Sequence, residues 1–461
     1  MPKLDLLLLG LYILLSLAAV FFFRKGEKWK GLLITTLLFY TFLTGLQVVY
    51  IFFFIVVVYG LGFYVKKFPA LAWLPVVLVL LPLVIFKVSD SGLHLLQDVA
   101  RTNLVTIDER NRTLFRVIGL SYITFNGMSY LLDIKRRYLE PEKNLGLVIL
   151  YLLYFPCAVS GPLHRAKYLM EQFRQAAVSD ENISRGLRLI LFGSFKQLVI
   201  AQRCFWLLNQ FLESGIGGVY YLFAGLLFFL YLYLNFSSFI DIMQGISQIF
   251  NVELKDNFRN RIYLAFSRQD FWGGWHITLN EWFRDYFFFP LAKKDRKRQF
   301  TNLILLATFL LIALWHGVTK VFLVWGLLNA TWIILEKKVN LQRLPYPKFR
   351  KVAGVVYHLG FASVLALVFI TPDMSVMLNR LITSTGAFPV SFLKQNVNAI
   401  LVIVVGFLVM DYHYAKAGKK RIDEYLGSKS RTVRWLLYLK FSLLIISLGL
   451  VDGISNYYTQ F

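Results

Sequence analysis

Six histidines are spread over the 461 residues, and two stand out by their surroundings. His276 closes the run Phe271-Trp272-Gly273-Gly274-Trp275-His276 and is followed by Glu281-Trp282-Phe283-Arg284-Asp285-Tyr286. His316 lies in Leu314-Trp315-His316-Gly317, near the end of a stretch from Asn302 to Val318 without a charged residue. Imidazole is the side chain whose ordinary titration falls near neutrality, and burial keeps it uncharged at pH 7. A neutral imidazole placed against a hydroxyl can take its proton and make it a nucleophile, a contribution of about 10²–10⁴ in rate. The bland alternatives are an aromatic belt at a membrane interface around His276 and a hydrogen-bonded core residue at His316. Each histidine follows a tryptophan, and that recurrence raises the functional reading.

The other candidates carry less chemistry. His164 and Arg165 follow the turn Ser160-Gly161-Pro162 and either bind an anion or cap the loop. His94 falls in a polar stretch and is expected to be solvated, while His358 and His413 sit in late apolar segments. Asp411 is expected to pair locally with Lys416. Cys157 and Cys204 lie inside apolar runs, too few for a bridge framework or a structural zinc site. No Walker-type phosphate loop and no Gly-x-Ser-x-Gly elbow occurs.

Composition fixes the elements that must hold these residues. Hydrophobic residues make up 57% of the chain and charged residues 16%, against about 25% charged in soluble domains. Disorder is excluded, and a soluble enzyme nearly so. A single domain over residues 1–461 is expected, an all-α polytopic membrane protein. Charge-free runs of about 20 residues span a bilayer. They begin with Leu4 to Phe23, a hairpin within Gly31 to Val65 that turns near Gln47, and Ala70 to Val88. Thr113 to Ile134, Leu145 to Val159, Leu187 to Leu208, Gly217 to Asn235, Asn302 to Val318 and Val321 to Leu335 follow, then Val352 to Ile370, Ala399 to Tyr412 and Val433 to Val451. With half-spans, about 11–13 membrane helices result.

The net charge of +24 would suggest nucleic acid on a soluble protein. Here Lys and Arg collect in short loops such as Lys66-Lys67, Lys135-Arg136-Arg137 and Lys293 to Arg298, the positive-inside pattern, and no nucleic-acid partner is expected. Placing those clusters in the cytoplasm puts both termini outside and makes Ser89 to Arg116 extracellular. From Ser237 to Leu291 the chain stays apolar yet holds Asp241, Asn257, Arg259, Arg268, Asp270, His276, Arg284 and Asp285. Ionisable groups facing lipid cost about 2.5–3.5 kcal/mol or more each, so they must face protein or water. Short interfacial and re-entrant helices around a cavity are expected here.

The block Phe271 to Tyr286, with Leu314-Trp315-His316-Gly317 and Val324-Trp325-Gly326-Leu327, resembles the membrane-bound O-acyltransferases. The nearest branch is the bacterial one of alginate O-acetylases, peptidoglycan O-acetylases and teichoic-acid D-alanyl transfer proteins. Supporting segments are Gly119 to Phe125, Ser129 to Asp133, Ser160 to Pro162 with Arg165, and Asn235 to Asp241 leading to Asp256-Asn257-Phe258. The resemblance covers about residues 110–336. It implies helices ringed around a central tunnel, with His316 as the principal active-site histidine and His276 as the second. Asn257, Trp275, Arg284, Asp285 and Trp315 are the supporting residues expected, and no metal.

The same resemblance implies no bound cofactor but an acyl thioester donor on the cytoplasmic side, acetyl-CoA or a phosphopantetheine acyl carrier protein. The acyl group passes through a bacterial inner membrane to hydroxyls of an exported cell-envelope polysaccharide, with an esterase-like partner outside. Acetyl transfer is favoured by Trp325-Gly326-Leu327, Leu335-Glu336-Lys337 and the ending Tyr457 to Phe461. D-alanyl transfer towards teichoic acid, from a carrier protein, is favoured by Leu80 to Lys87. The chain departs from the family where basic residues usually stand at Gly273 and Gly274, and where an acid and a glycine usually stand at Asn235 and Ser238. A transporter or flippase, with the two histidines relaying protons, is the reading from another class.

Overall fold

The structure, a computed structural model, describes residues 6–100, 118–338, 347–371, 373–383 and 389–450. Among these residues every named element is helical, and the one β-bridge joins Phe258 to Trp275. In hydrocarbon no water can satisfy a backbone amide, so segments of this composition close their hydrogen bonds within themselves as helices.

The chain opens with α1 (Leu6–Phe21), α2 (Trp29–Thr44), α3 (Gln47–Lys67), α4 (Trp73–Ala100), α5 (Leu120–Lys135), α6 (Leu145–Leu153) and α7 (Ala166–Arg174). Then come α8 (Asp180–Phe195), a π-helical turn (Lys196–Ala201), α9 (Gln202–Glu213) and α10 (Tyr221–Ile249). Three short helices follow, α11 (Arg268–Trp272), α12 (Ile277–Phe283) and α13 (Phe289–Lys294). The remainder is α14 (Thr301–His316), α15 (Lys320–Lys338), α16 (Pro347–Ile370), α17 (Met374–Ile382), α18 (Val397–Ala417), α19 (Ile422–Gly427) and α20 (Arg431–Leu448).

The segments Gln47–Lys67, Pro69–Val88, Gly218–Ile249, Val352–Ile370 and Val397–Ala417 are long and apolar enough to cross a bilayer, and Leu7–Phe21, Trp29–Thr44 and Thr301–His316 are shorter apolar helices. Leu38, Phe53, Leu74, Val405 and Leu408 are exposed on them, the pattern of a protein whose solvent is lipid. The protein is an all-α polytopic membrane protein.

Two compact units emerge, one holding the described residues through Leu187 with Met243–Lys255, the other Arg188–Ile242 and the described residues from Asp256 onward. In the first, α2 and α3 form the expected hairpin, turning at Gly45 with φ 59°. Tyr12 meets Thr36 at 3.3 Å and Ser16 donates to Thr35 at 3.0 Å, which ties α1 to α2 through buried hydroxyls. The expected span from Leu145 to Val159 is broken. Helix α6 stops at Leu153 because Pro156 offers no amide proton and its ring would meet the carbonyl of residue 152. Helix α4 continues to Ala100, so the polar stretch expected outside the membrane begins as helix, and residues 101–116 lie outside the described residues. The side chain of His94 lies outside them too, as do residues 451–461.

In the second unit α14 and α15 approach closely. A Cβ at Gly326 would stand 2.8 Å from the Phe309 carbonyl oxygen and the Ala313 Cβ, so only glycine lets the backbones meet. The expected break near Ser237 does not occur: α10 runs unbroken to Ile249. Lys196, fully buried on the π-helical turn, pairs with Asp241 at 2.6 Å and donates to Ser237 at 3.0 Å and Tyr414 at 2.9 Å. The carboxylate that pointed to short re-entrant helices here is thus neutralised inside the helix packing. Past α10, the short helices α11 to α13 match the irregular region expected there.

Candidate active site

The geometry around the two histidines His276 and His316 lies within the second unit. The segment 257–259 runs against 274–277: Arg259 N donates to Gly274 O at 2.9 Å and Ile277 N to Asn257 O at 3.0 Å. Between α11 and α12 the chain must turn in four residues. Ser267 caps α11 by accepting from Asp270 N at 3.0 Å. Gly274 then passes under Arg259, where a Cβ would strike Ile262 Cδ1 at 2.7 Å and Arg259 Cβ at 2.9 Å. His276 completes the turn with φ 45° and ψ 52°, a left-handed conformation uncommon outside glycine, and precedes the first residue of α12.

Asn257 holds that turn. Its Oδ1 accepts from Thr278 N at 3.1 Å and Thr278 Oγ1 at 2.9 Å, and stands 3.3 Å from His276 Nδ1. The backbone donor fixes which amide atom is oxygen, so the imidazole nitrogen facing it carries the proton. His276 is 2% exposed. A neutral ring with the proton on Nδ1 carries its lone pair on Nε2. In this arrangement Nε2 is an acceptor, and the ring has no second N–H to donate.

His316 ends α14 and is 6% exposed. Four aromatic rings enclose it, with centroids at 4.6 Å for Trp315, 5.3 Å for Phe369, 5.6 Å for Trp325 and 5.8 Å for Phe322. The Trp315 ring also lies edge-on to His276 at 6.3 Å. The two imidazoles therefore flank one indole, although 40 positions separate them in sequence.

Of the residues expected beside the histidines, Asn257 and Trp315 are brought to them. Trp275 instead packs among Phe271, Phe258, Phe229 and Tyr233 at 5.2–6.4 Å. Arg284 is exposed and bonds its neighbour Asp285 at 3.0 Å, on a π-helical turn rather than in the buried cluster. Asp411 does not pair with Lys416 as expected. It receives Arg261 through two hydrogen bonds at 2.7 and 3.0 Å, and Tyr263 at 2.5 Å.

The sequence reading passed over Asn329, a lone amide in an apolar span, and gave Arg268 no role. Both are buried. Asn329 Oδ1 accepts from Arg268 Nη2 at 2.8 Å and Trp272 Nε1 at 3.1 Å. In the first unit, His164 is a loop cap: its Nδ1 donates to Pro162 O at 2.8 Å and its Nε2 accepts from Lys255 N at 2.9 Å.

A polytopic helical protein with two buried histidines, one in the turn before α12 and one at the end of α14, is the class that fold and site define. Residues 147–357 match the model of the MBOAT, membrane-bound O-acyltransferase family, and both histidines fall inside the matched stretch. The chain is 28% identical over 237 residues to the probable alginate O-acetylase AlgI of Pseudomonas syringae, covering 50% of this chain and 44% of that one. It is 25% identical over 232 residues to the teichoic acid D-alanyltransferase of Bacillus subtilis, covering 47% and 58%. It is 31% identical over 192 residues to the peptidoglycan O-acetyltransferase of Helicobacter pylori, covering 39% and 35%. The chain spans under half the length of the alginate O-acetylases it matches.

Proposed function

We propose that this protein is an O-acyltransferase that moves an acetyl group from a thioester to hydroxyls of an exported cell-envelope polysaccharide. The observation that carries the reading is the pair of buried imidazoles on either side of Trp315. In the step proposed, the acceptor oxygen attacks the thioester carbonyl carbon while its proton passes to His316. The tetrahedral intermediate collapses, the C–S bond breaks, and the departing sulfur takes the proton back from the imidazolium, leaving an ester and a thiol. His276, neutral and with its lone pair on Nε2, accepts a hydrogen bond from an acceptor hydroxyl and orients it.

The donor, acetyl-CoA or a phosphopantetheine carrier, reaches the site from the cytoplasmic side of a bacterial inner membrane, where the basic loops gather. An esterase-like protein outside receives the acyl group or passes it to the polymer. Acetyl is supported by the similarity to alginate O-acetylases. D-alanyl transfer is the second reading, supported by similarity to the teichoic acid D-alanyltransferase of Streptococcus thermophilus over 322 residues, 63% of this chain.

Mass spectrometry of envelope polymers from cells with the protein, without it, and with His316→Ala tests the proposal. Acetyl esters present only with the intact protein are expected, and alanyl esters would install the second reading. Unchanged ester content in His316→Ala cells would overturn the assignment of the base.

A further inference from the structure

Among the described residues, Arg268 is the largest side chain that is essentially fully buried. It lies over the Phe271 ring at 4.4 Å and near those of Phe361 at 5.4 Å and Trp272 at 6.0 Å. Its own amide donates to both Glu336 carboxylate oxygens at 2.9 Å. A charged group this deep is costly, and the scheme proposed above gives it no part. Its hydrogen bond leads to Asn329 Oδ1, which Trp272 Nε1 shares, while Asn329 Nδ2 donates to Trp325 O at 2.9 Å. Trp272 in turn lies edge-on to Phe309 of α14 at 5.1 Å and to Trp325 of α15 at 5.9 Å. Helix α14 ends in His316, and the Trp325 ring touches that imidazole.

We propose that Asn329 and Arg268 are positioning residues for His316. Through Asn329 they fix the Trp272 indole as a wedge against α14 and α15, and so hold the angle at which the His316 ring meets its substrate. Bringing a general base to bear depends on such placement, and displacement of a reacting group by about 1 Å can cost 10²-fold in rate. A group that acts only on geometry lowers kcat and leaves donor binding intact. The inference rests on the acyltransferase reading.

The test uses the full-length protein in nanodiscs, with acetyl-CoA as donor and a soluble polysaccharide as acceptor. Asn329→Leu removes the shared acceptor; Asn329→Asp keeps an oxygen in its place; Trp272→Phe removes only the indole N–H. The result expected is a fall of about 10- to 100-fold in kcat for Asn329→Leu with donor KM within about twofold, and recovery to within about fivefold of wild type for Asn329→Asp. Trp272→Phe falls by about three- to tenfold in the same manner. If Asn329→Leu does not yield monodisperse protein, Trp272→Phe decides alone, since its ring still fills the site. Wild-type kcat in a folded Asn329→Leu or in Trp272→Phe overturns the inference, as does a loss carried by KM or one that Asn329→Asp fails to repair. Absence of ester product from the wild type would instead sink the acyltransferase reading.

Discussion

The oxygen of Asn257 meets three donors, and removing it should both loosen the turn and change the chemistry of His276. In Asn257→Ala the Thr278 hydroxyl can rotate towards another acceptor, but the Thr278 amide and the His276 Nδ1 proton are fixed in direction by the helix start. Each buried donor left unmatched costs about 1–3 kcal/mol, so the variant should lose about 2–6 kcal/mol of stability. The imidazole can escape part of that penalty by moving its proton to Nε2. That tautomer turns the acceptor offered to the substrate into a donor, and the orienting hydrogen bond is lost. A fall of about 10²-fold in kcat, equivalent to about 2.7 kcal/mol, is expected. Asn257→Asp keeps an oxygen opposite Nδ1 and should stay within about tenfold of wild type. Turnover of acyl thioester in nanodiscs gives the rates, and the ¹⁵N shifts of labelled His276 report the tautomer directly. A wild-type spectrum showing the proton on Nε2, or full activity in a folded Asn257→Ala, would refute the reasoning.

Further outcomes follow from the same structure. Gly274→Ala should lower the thermal midpoint, by an overpacking cost of about 1–3 kcal/mol, because its Cβ meets Ile262 and Arg259 below 3 Å. Gly273→Ala, whose nearest atoms stand at 3.4 Å, should change stability by less than about 0.5 kcal/mol. Lys196→Met strands the Asp241 carboxylate at a cost of about 3–5 kcal/mol, and adding Asp241→Leu should restore most of it; a single variant as stable as wild type would show the pair to be dispensable. Burial lowers the pKa of His164 to about 4, so the folded protein refuses a proton that the unfolded chain accepts below about 6.5. Its contribution is whole above pH 6.5 and fades as pH falls towards 4. By pH 5 about 2 kcal/mol should be lost, read as a falling thermal midpoint that His164→Gln flattens.

The histidines were legible as candidates because their chemistry is local: an imidazole after a tryptophan in an apolar, aromatic run is visible without knowing the fold. Their surroundings were not. The rings around His316 come from α14, α15 and α16, and no spacing in the chain announces that Phe369 packs where it does. Arg284 and Asp285 drew attention for the same reason as His276, a polar side chain in an aromatic run, yet they face outward and neutralise each other. Helix boundaries failed where charge was taken as a sign of irregular backbone. Asp241 suggested a break in α10, but a lysine supplied from the π-helical turn lets the helix carry a carboxylate at depth.

The two departures from the family pattern find a physical account in side chains that sequence spacing could not connect. At Gly274 the missing side chain leaves room that Arg259 crosses, and its guanidinium pairs with Asp270 at 2.7 Å. A cation is thus present beside the turn before His276, but it arrives from the facing segment. At Asn235 and Ser238 the expected acid is absent, and both side chains donate to Gln197 Oε1, at 3.4 and 2.6 Å. Gln197 follows Lys196 on the same turn, so one position there supplies a charge to Asp241 and the next a neutral acceptor. A neutral amide asks for no counter-ion at membrane depth, where an unpaired charge would cost about 2.5–3.5 kcal/mol or more. Replacing Asn235 alone by an acid should therefore destabilise this protein, because Gln197 presents an oxygen where a carboxylate needs a donor; Gln197→Lys together with the acid should recover the loss. Stability of the single and double variants in detergent decides it, and a single variant as stable as wild type would show that the amide pairing carries no weight.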